Sequence, residues 1–273
     1  MTDTTTTTPT DTPTATPDDT ARARDLATRW DAQQTAYIRH RAERFATIAR
    51  VVAAVCADTS APRILDLAGG TGSLAEAVLA AVPGATAVVA DKDPALLAIA
   101  ADLAAADPRL VIAEVDLADP HWAEHPAIAS APFDAVVSST ALHWLQPGTL
   151  VDVLRRTADL LRPGGVLLNG DHLSYQRDES TMAAIAADDD AATQREGFAS
   201  GADTWDAWWA AVAETPRYAE ALARRDTVWG AELHEAPPKV TLGFHVESLR
   251  SAGFAEVGTV WQYLDDRVVY GVR

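Results

Sequence analysis

The sequence predicts an α/β fold, built on a doubly wound and mostly parallel sheet with helices on both faces. Two observations carry this prediction. Short apolar runs of strand length alternate with helix-like stretches between residues 64 and 171, and the connections are short. The runs also end in polar side chains, namely Asp66, Asp91, Asp116, Ser138 and Asp171. Ligands of such sheets bind beyond the carboxyl ends of the strands, so these side chains indicate one site at one edge of the sheet.

The N-terminal region divides into a tail and a helical part. Residues 1–20 are mostly Thr, with three Pro and four Asp. Such a composition cannot bury enough apolar surface to offset the entropy of ordering, so we predict a disordered tail. From residue 21 to residue 57, apolar residues recur at spacings of three, four and seven, which predicts two helices separated near Thr35.

Seven strands and their connecting helices follow. Apolar runs predict strands at 64–68, 85–90, 110–115, 133–137, 166–171, 257–263 and 267–272. Stretches without helix breakers predict helices at 73–81, 94–105, 150–161 and 245–252. The last two strands are joined by the tight turn Leu264-Asp265-Asp266, so they must be antiparallel.

The alternation lapses between residues 173 and 239, and this stretch is too long for an ordinary loop. We therefore predict a helical cap inserted over the strand ends. Trp205, Trp208 and Trp209 are expected on the apolar face of a cap helix, and residues 188–190 form an acidic run expected to be solvated. The predicted organisation is a tail at 1–20, helices and core at 21–172, the cap at 173–239, and completion of the core at 240–273.

Composition narrows the class of protein. Lys and Arg number 22 against 39 Asp and Glu, and the net charge of −17 disfavours a nucleic-acid partner. The single Cys56 excludes an internal disulfide and any multi-cysteine metal site. No run approaches the roughly 18 apolar residues of a membrane span, and the N-terminus lacks the pattern of a signal peptide. We expect a cytoplasmic protein, monomer or homodimer, that contacts no membrane.

A glycine-rich turn follows the first predicted strand. Gly69, Gly70 and Gly72 come directly after the run that ends at Asp66, and they allow a tight turn and close approach of a ligand. Asp91 lies nineteen residues after Gly72, about where a ribose-binding acid is expected. The pattern from Gly70 to Ala75 also satisfies a dinucleotide fingerprint, so an NAD(P)-dependent oxidoreductase remains an alternative.

Taken in order and spacing, the motifs resemble those of the class I S-adenosylmethionine-dependent methyltransferases over residues 24–273. The matching blocks are 64–72, 91–94, 133–145 and 161–165. Trp30, Tyr37 and Glu43-Arg44 add a looser likeness to the small-molecule branch that includes trans-aconitate methyltransferase. The resemblance implies a Rossmann-like fold, S-adenosyl-L-methionine as cofactor, and methyl transfer to O, N or a carboxylate of a small molecule. A non-catalytic nucleoside binder of the same fold is the second alternative.

The resemblance also implies roles for individual residues in cofactor binding. The loop from Ala68 to Gly72 would pass under the methionine and ribose, with Ala68 standing where the family usually has glycine. Asp66 would face the methionine amino group, Asp91 the ribose hydroxyls and Asp116 the adenine amino group. The remaining implied cofactor contacts are Gly69, Gly70, Lys92, Leu117 and Ser138. Tyr37, Arg41 and Arg44 of the N-terminal helices are further candidates to cover the cofactor, with ordinary surface placement of the arginines as the alternative.

Two histidines are candidate general bases. His143 lies just past the fourth predicted strand, and His172 follows Asp171 at the end of the fifth. A base is needed only if the acceptor must lose a proton, and a packing role competes for both histidines. His121 and His125 are four residues apart, but prolines beside them indicate a loop and no third ligand is evident, so we predict no metal.

Overall fold

A computed structural model of the protein describes residues 15–130 and 132–273, apart from the side chains of Leu233 and His234. The strands are β1 Arg63–Leu67, β2 Thr86–Asp91, β3 Leu110–Glu114, β4 Phe133–Ser139, β5 Leu161–His172, β6 Glu256–Tyr263 and β7 Asp266–Val272. They form one sheet in the order β3-β2-β1-β4-β5-β7-β6. β1 to β5 run parallel, and β7 is antiparallel to both β5 and β6. The predicted doubly wound, Rossmann-like sheet with an antiparallel C-terminal hairpin is confirmed.

The α-helices in the described part of the chain connect and cover these strands. They are α1 Pro17–Tyr37, α2 Arg41–Val55, α3 Ser73–Ala81, α4 Pro94–Ala104, α5 Pro126–Ala129, α6 Pro147–Leu160, α7 Ser180–Ala199, α8 Trp205–Ala213, α9 Ala219–Trp229 and α10 Leu242–Ser251. Short 3₁₀ turns occur at Trp122–Glu124, Leu142–Trp144, Pro216–Tyr218 and Gly230–His234.

The period of two along each strand divides the core into two layers. Ile64 of β1 belongs to an apolar cluster formed with α2 and α3, whereas the next residue, Leu65, belongs to one formed with α6 and α10. Both faces of the central strands are therefore buried, which is why they appear in the sequence as continuous apolar runs rather than alternating ones. Polar side chains are accommodated where the strands end.

The disordered tail predicted for residues 1–20 overlaps the first helix. Residues 1–14 lie outside the described residues, but α1 begins at Pro17, inside the predicted tail of 1–20. The Thr16 hydroxyl accepts from the Asp19 amide at 3.2 Å, and the Asp19 carboxylate accepts from the Thr16 amide at 2.9 Å. This capping box, with Pro17 at the first helical position, starts the helix. Thr and Asp, the residue types that predicted disorder in this segment, here cap the start of the helix.

The segment 173–239 folds mainly as α7, α8 and α9, which contact α1 and α4. Trp208 is fully buried against α1, and its indole N–H donates to the Leu26 carbonyl at 3.0 Å. Trp205 and Trp209, by contrast, line a cavity above the strand ends. The helical character of this segment agrees with the sequence analysis, while its standing as a separate cap domain stays a prediction. No described helix has both the length and the apolar character needed to cross a membrane.

Candidate active site

A cavity of about 790 Å³ lies at the carboxyl ends of β1, β2, β4 and β5. Strand-end residues form its floor, while α1, α8, α9 and residues 235–239 form its walls. A volume of this size suits a cofactor together with a small acceptor. The predicted site residues that line it are Tyr37, Arg41, Asp66, Ala68, Gly69, Gly70, Asp91, Lys92, Asp116, Leu117, His143 and His172. The sheet topology thus brings together most of the residues selected from the sequence.

The turn after β1 requires small residues for two different reasons. Ala68, Gly70 and Gly72 have φ values of +51°, +56° and +87°, a region that glycine enters without steric cost. Gly69 has an ordinary φ, but a Cβ there would lie 2.8 Å from the carboxyl group of Asp66. Gly72 is the N-cap of α3 and does not line the cavity. It therefore shapes the turn, and its cofactor contact stays a prediction.

Asp66 is a fully buried carboxyl group at the end of β1. Its Oδ2 accepts a hydrogen bond from the amide of Ala75 in α3 at 3.0 Å, and its Oδ1 has no hydrogen-bond partner in the described part of the chain. Burial raises the pKa of Asp66 to about 8, with a further contribution from Asp91. A buried carboxyl with one unused oxygen beside a cavity is suited to a cationic ligand group.

Asp91 connects the end of β2 to the glycine turn. Its Oδ2 accepts from the Gly70 amide and its Oδ1 from the Asp93 amide, both at 2.8 Å. Burial raises the pKa of Asp91 to about 6, so the group is mainly a carboxylate at pH 7. Each oxygen has a second lone pair, and two hydroxyl donors on a ligand could use them. Asp116 lies at the open end of the cavity, where its Oδ1 accepts from the Ala118 amide at 2.9 Å.

Asp93 joins α4 and α9 to the end of β2, a role that the sequence pattern did not predict. Its Oδ1 caps α4 by accepting from the amides of Ala95 and Leu96. Its Oδ2 accepts from Arg225 Nε at 2.7 Å and from Trp229 Nε1 at 2.8 Å. Lys92 stacks its ammonium over Trp229 at 4.2 Å and pairs with Glu232. The side chains beside Asp91 therefore anchor α9 across the cavity.

His143 is paired with a buried carboxylate. Its Nδ1 lies 2.7 Å from Asp171 Oδ1, and its backbone amide donates to Asp171 Oδ2 at 3.1 Å. Burial of Asp171 acts to raise its pKa, but His143, Arg44 and His172 outweigh burial and lower it. Asp171 therefore remains ionised and fixes the imidazole through Nδ1. This arrangement orients the ring and leaves Nε2 as the nitrogen that can exchange a proton with a ligand.

His172 has different surroundings, although it also lines the cavity. Its Nδ1 lies 3.6 Å from Asp265 Oδ2. Burial acts to lower the pKa of His172, but the carboxylates of Asp265 and Asp266 outweigh it and raise the pKa above its usual value. Because these carboxylates favour the protonated form of His172, which cannot accept a proton, His143 is the better candidate of the two.

Two predicted contacts lie away from the cavity. Ser138 is fully buried and donates its hydroxyl to the Leu67 carbonyl at 2.8 Å, because its position on β4 points into the core. The next residues, Ser139 and Thr140, line the cavity instead. Arg44 is also fully buried, and its guanidinium binds Asp266, Ser139 and Thr140 beneath the floor. It supports the strand ends rather than covering a ligand.

Comparison with known families decides what kind of domain this is. A protein-family model described as "Methyltransferase domain" matches residues 65–167, which run from within β1 to within β5. Residues 65–167 are a methyltransferase domain. The matched range contains the glycine turn, Asp91, Asp116 and His143, and the sheet order agrees with the class I S-adenosylmethionine-dependent type that the sequence resembles.

Solved structures share the fold of this methyltransferase domain. An O-methyltransferase family protein from Burkholderia thailandensis is 21% identical with a TM-score of 0.55, and the alignment covers 83% of this chain and 55% of that one. The S-adenosylmethionine-dependent methyltransferase SibL is 22% identical with a TM-score of 0.51, covering 82% and 54%. The chain thus spans about half the length of these proteins, and the likeness is one of fold. No curated protein matches the sequence significantly.

The cofactor of this class of methyltransferase domain is S-adenosylmethionine, and the donor and acceptor set of the cavity fits it. The unpartnered Oδ1 of buried Asp66 suits an ammonium group, and the carboxylate of Asp91 suits two ribose hydroxyls. Leu117 supplies an apolar surface for the adenine ring, beside the acceptor oxygens of Asp116. These individual contacts remain predictions.

Proposed function

We propose that this protein transfers a methyl group from S-adenosylmethionine to a hydroxyl oxygen of a small molecule. The observation that carries this proposal is that His143, held by the buried carboxylate of Asp171, lines the same cavity as Asp66 and Asp91. One cavity therefore has both the groups that fit the cofactor and an oriented base. A base is required when a neutral hydroxyl becomes a nucleophile, whereas a carboxylate acceptor needs none.

The chain's own residues perform three tasks in this mechanism. S-adenosylmethionine, when bound, supplies an electrophilic methyl carbon. Asp66 and Asp91 bind and orient the donor, and the tryptophans around the cavity exclude water and align the acceptor for in-line attack. His143 Nε2 accepts the hydroxyl proton, and the Asp171 carboxylate stabilises the imidazolium that forms.

The walls of the cavity favour a flat, largely apolar acceptor. Five indole rings line it, contributed by α1, the 3₁₀ turn after β4, α8 and α9: Trp30, Trp144, Trp205, Trp209 and Trp229. Aromatic side chains provide large rigid contact surfaces for ring-containing ligands. Phenols therefore come first in the panel of acceptors to be tested.

The base can be tested with two variants and one matched control. His143→Gln and Asp171→Asn should lower kcat at pH 7 by about 10²–10⁴-fold, because each removes oriented proton acceptance. Binding of S-adenosylhomocysteine, measured by titration calorimetry, should change less than about threefold, since neither residue is assigned to the cofactor. His121→Gln, at an exposed ring that pairs with Glu124, should leave kcat unchanged. Unchanged kcat in both site variants would contradict the mechanism.

Two further measurements separate this function from its alternatives. Titration with S-adenosylhomocysteine and with NAD distinguishes a methyltransferase from an oxidoreductase, and binding of NAD alone would refute the proposal. A labelled methyl donor with phenols, amines and carboxylic acids then tests turnover. Tight nucleoside binding without methylation of any acceptor would favour a non-catalytic binder.

A further inference from the structure

We propose that His172, Asp190 and Asp265 bind a divalent metal cation at the acceptor end of the cavity. These residues come from the end of β5, from α7 and from the turn before β7. One potential ligand atom from each lies within 4.8 Å of the others, so a single ion can reach all three after small side-chain adjustments. The cluster contains one nitrogen and two carboxylate ligands, and two of its members line the cavity.

The distance between His172 and Asp265 fits a shared ion better than a direct hydrogen bond. His172 Nδ1 and Asp265 Oδ2 are 3.6 Å apart, whereas direct N–H···O bonds are about 2.7–3.2 Å long. Two ligands at about 2.1 Å from one ion lie roughly 3.0–3.6 Å apart, for angles between a right angle and 120°. The separation is that of an ion pair, and it also lies at the upper limit of the range for two ligands of a common ion.

Asp190 adds a carboxylate that has no other assignment. Within the described residues it forms no hydrogen bond or ion pair, although its neighbour Asp189 binds both Arg39 and Tyr263. Asp188 is exposed to solvent. The acidic run 188–190 was expected to be solvated throughout, and the structure corrects this, since only its first residue faces away while the last faces the cavity.

The two carboxylates of the cluster attract positive charge. Asp190 and Asp265 repel each other at this distance, and Asp189 and Asp266 on the same elements are already paired with Arg39 and Arg44. Lys239 lies near enough to interact with both carboxylates and is the alternative source of positive charge. A bound ion would compete for these carboxylates with the Lys239 ammonium and with the charged form of His172, and titration with Mn²⁺ tests whether the ion binds.

The ligand set indicates a transition-metal ion. One imidazole and two carboxylates suit Mn²⁺, Fe²⁺ or Zn²⁺, while Ca²⁺ prefers oxygen ligands alone. Three protein ligands would leave coordination positions open, and His172 and Asp190 both line the cavity. On the basis of the proposed function, we infer that acceptors with two adjacent oxygens would bind there, because such pairs chelate a metal. This inference revises the sequence prediction that the protein binds no metal.

Binding of Mn²⁺ tests the site directly. The full chain, first treated with a chelator, is titrated with Mn²⁺ and free ion is followed by electron paramagnetic resonance. We expect one Mn²⁺ per chain, with affinity reduced at least tenfold by Asp265→Asn and by His172→Ala. The matched control Asp188→Asn should bind like the wild type, and S-adenosylhomocysteine titration should confirm that every variant is folded. Absence of Mn²⁺ binding at millimolar concentration, or equal weakening by Asp188→Asn, would overturn the proposal.

A second experiment separates the metal site from the methyl-transfer reaction. If the ion binds the acceptor, Mn²⁺ should raise the rate of methyl transfer to an ortho-dihydroxy acceptor in the wild type. The same rate should not change in Asp265→Asn. If the titration shows that Mn²⁺ binds but methyl transfer proceeds at the full rate in a chelator, the ion has no role in binding the acceptor. Intact Mn²⁺ binding without methylation of any acceptor would instead count against the proposed function.

Discussion

Binding of the cofactor should release a proton from Asp66. The buried carboxyl has a pKa of about 8 in the ligand-free protein, because its burial disfavours the charged form. An ammonium group next to the free Oδ1 favours the carboxylate and must lower this pKa. Binding therefore converts a mainly protonated Asp66 into a mainly ionised one, and the proton leaves to the buffer.

The size of the effect follows from the pKa values. A pKa of about 8 leaves roughly nine in ten Asp66 carboxyls protonated at pH 7, so about 0.9 proton should be released per cofactor bound. At pH 8 the release should fall to about half a proton, and it should disappear at still higher pH because the group is already ionised. Asp91, with a pKa of about 6, adds only about 0.1 proton at pH 7.

Titration calorimetry with S-adenosylhomocysteine measures this number. The observed enthalpy is recorded in buffers with different ionisation enthalpies, and the slope of the plot gives the protons released. Two controls isolate Asp66: the Asp66→Asn variant, and 5′-methylthioadenosine, which keeps the nucleoside and thioether but lacks the amino-acid part. Each should give a slope near zero. A proton uptake, or an equal release with 5′-methylthioadenosine, would refute the placement of the amino group against Asp66.

Three further predictions concern the turn and the helix that covers the cavity. Ala68→Gly should raise the stability by about 0.5 kcal/mol, because glycine removes the cost of φ at +51°, and S-adenosylhomocysteine should bind as well or better. Gly69→Ala should lower the stability by roughly 1–3 kcal/mol and weaken binding of S-adenosylhomocysteine, since the added Cβ meets Asp66 at 2.8 Å. Thermal melting measures the stability of both variants. A destabilised Ala68→Gly would contradict the turn geometry. Arg225→Met should cost about 3 kcal/mol by removing the buried partner of Asp93. Amide exchange should then rise in 219–229 while β2 stays protected, and uniform loss of protection would argue against a local anchor.

The sequence pattern alone predicted those structural features that depend on a single segment of the chain. A buried parallel strand needs a continuous apolar run, and the strand must end where polar groups can be satisfied, so Asp66, Asp91 and Asp116 could be assigned to one edge of the sheet in advance. The glycine turn is equally local, because a positive φ and close approach of the backbone both limit the side chain. Helix α1 shows the limit of composition, since the Thr16–Asp19 capping box starts a helix in a segment whose average polarity predicted none.

Contacts between distant segments were decided only by the tertiary structure. The sequence placed Ser138 in the cavity, but the register of β4 turns it into the core and presents Ser139 instead. His143 could be named as a base, yet its partner Asp171 lies 28 residues away and is fixed by the adjacency of β4 and β5. Which groups meet depends on strand order, register and helix packing.

What the sequence by itself determined is therefore the Rossmann-like sheet, the glycine turn and the carboxylates that fit S-adenosylmethionine. The tertiary structure alone decided the oriented base, the Asp93 anchor and the cluster of His172, Asp190 and Asp265. The physical reason is that burial and turn preferences act over a few residues and leave a local pattern. The pairing of charged side chains across the cavity is set by how the whole chain packs.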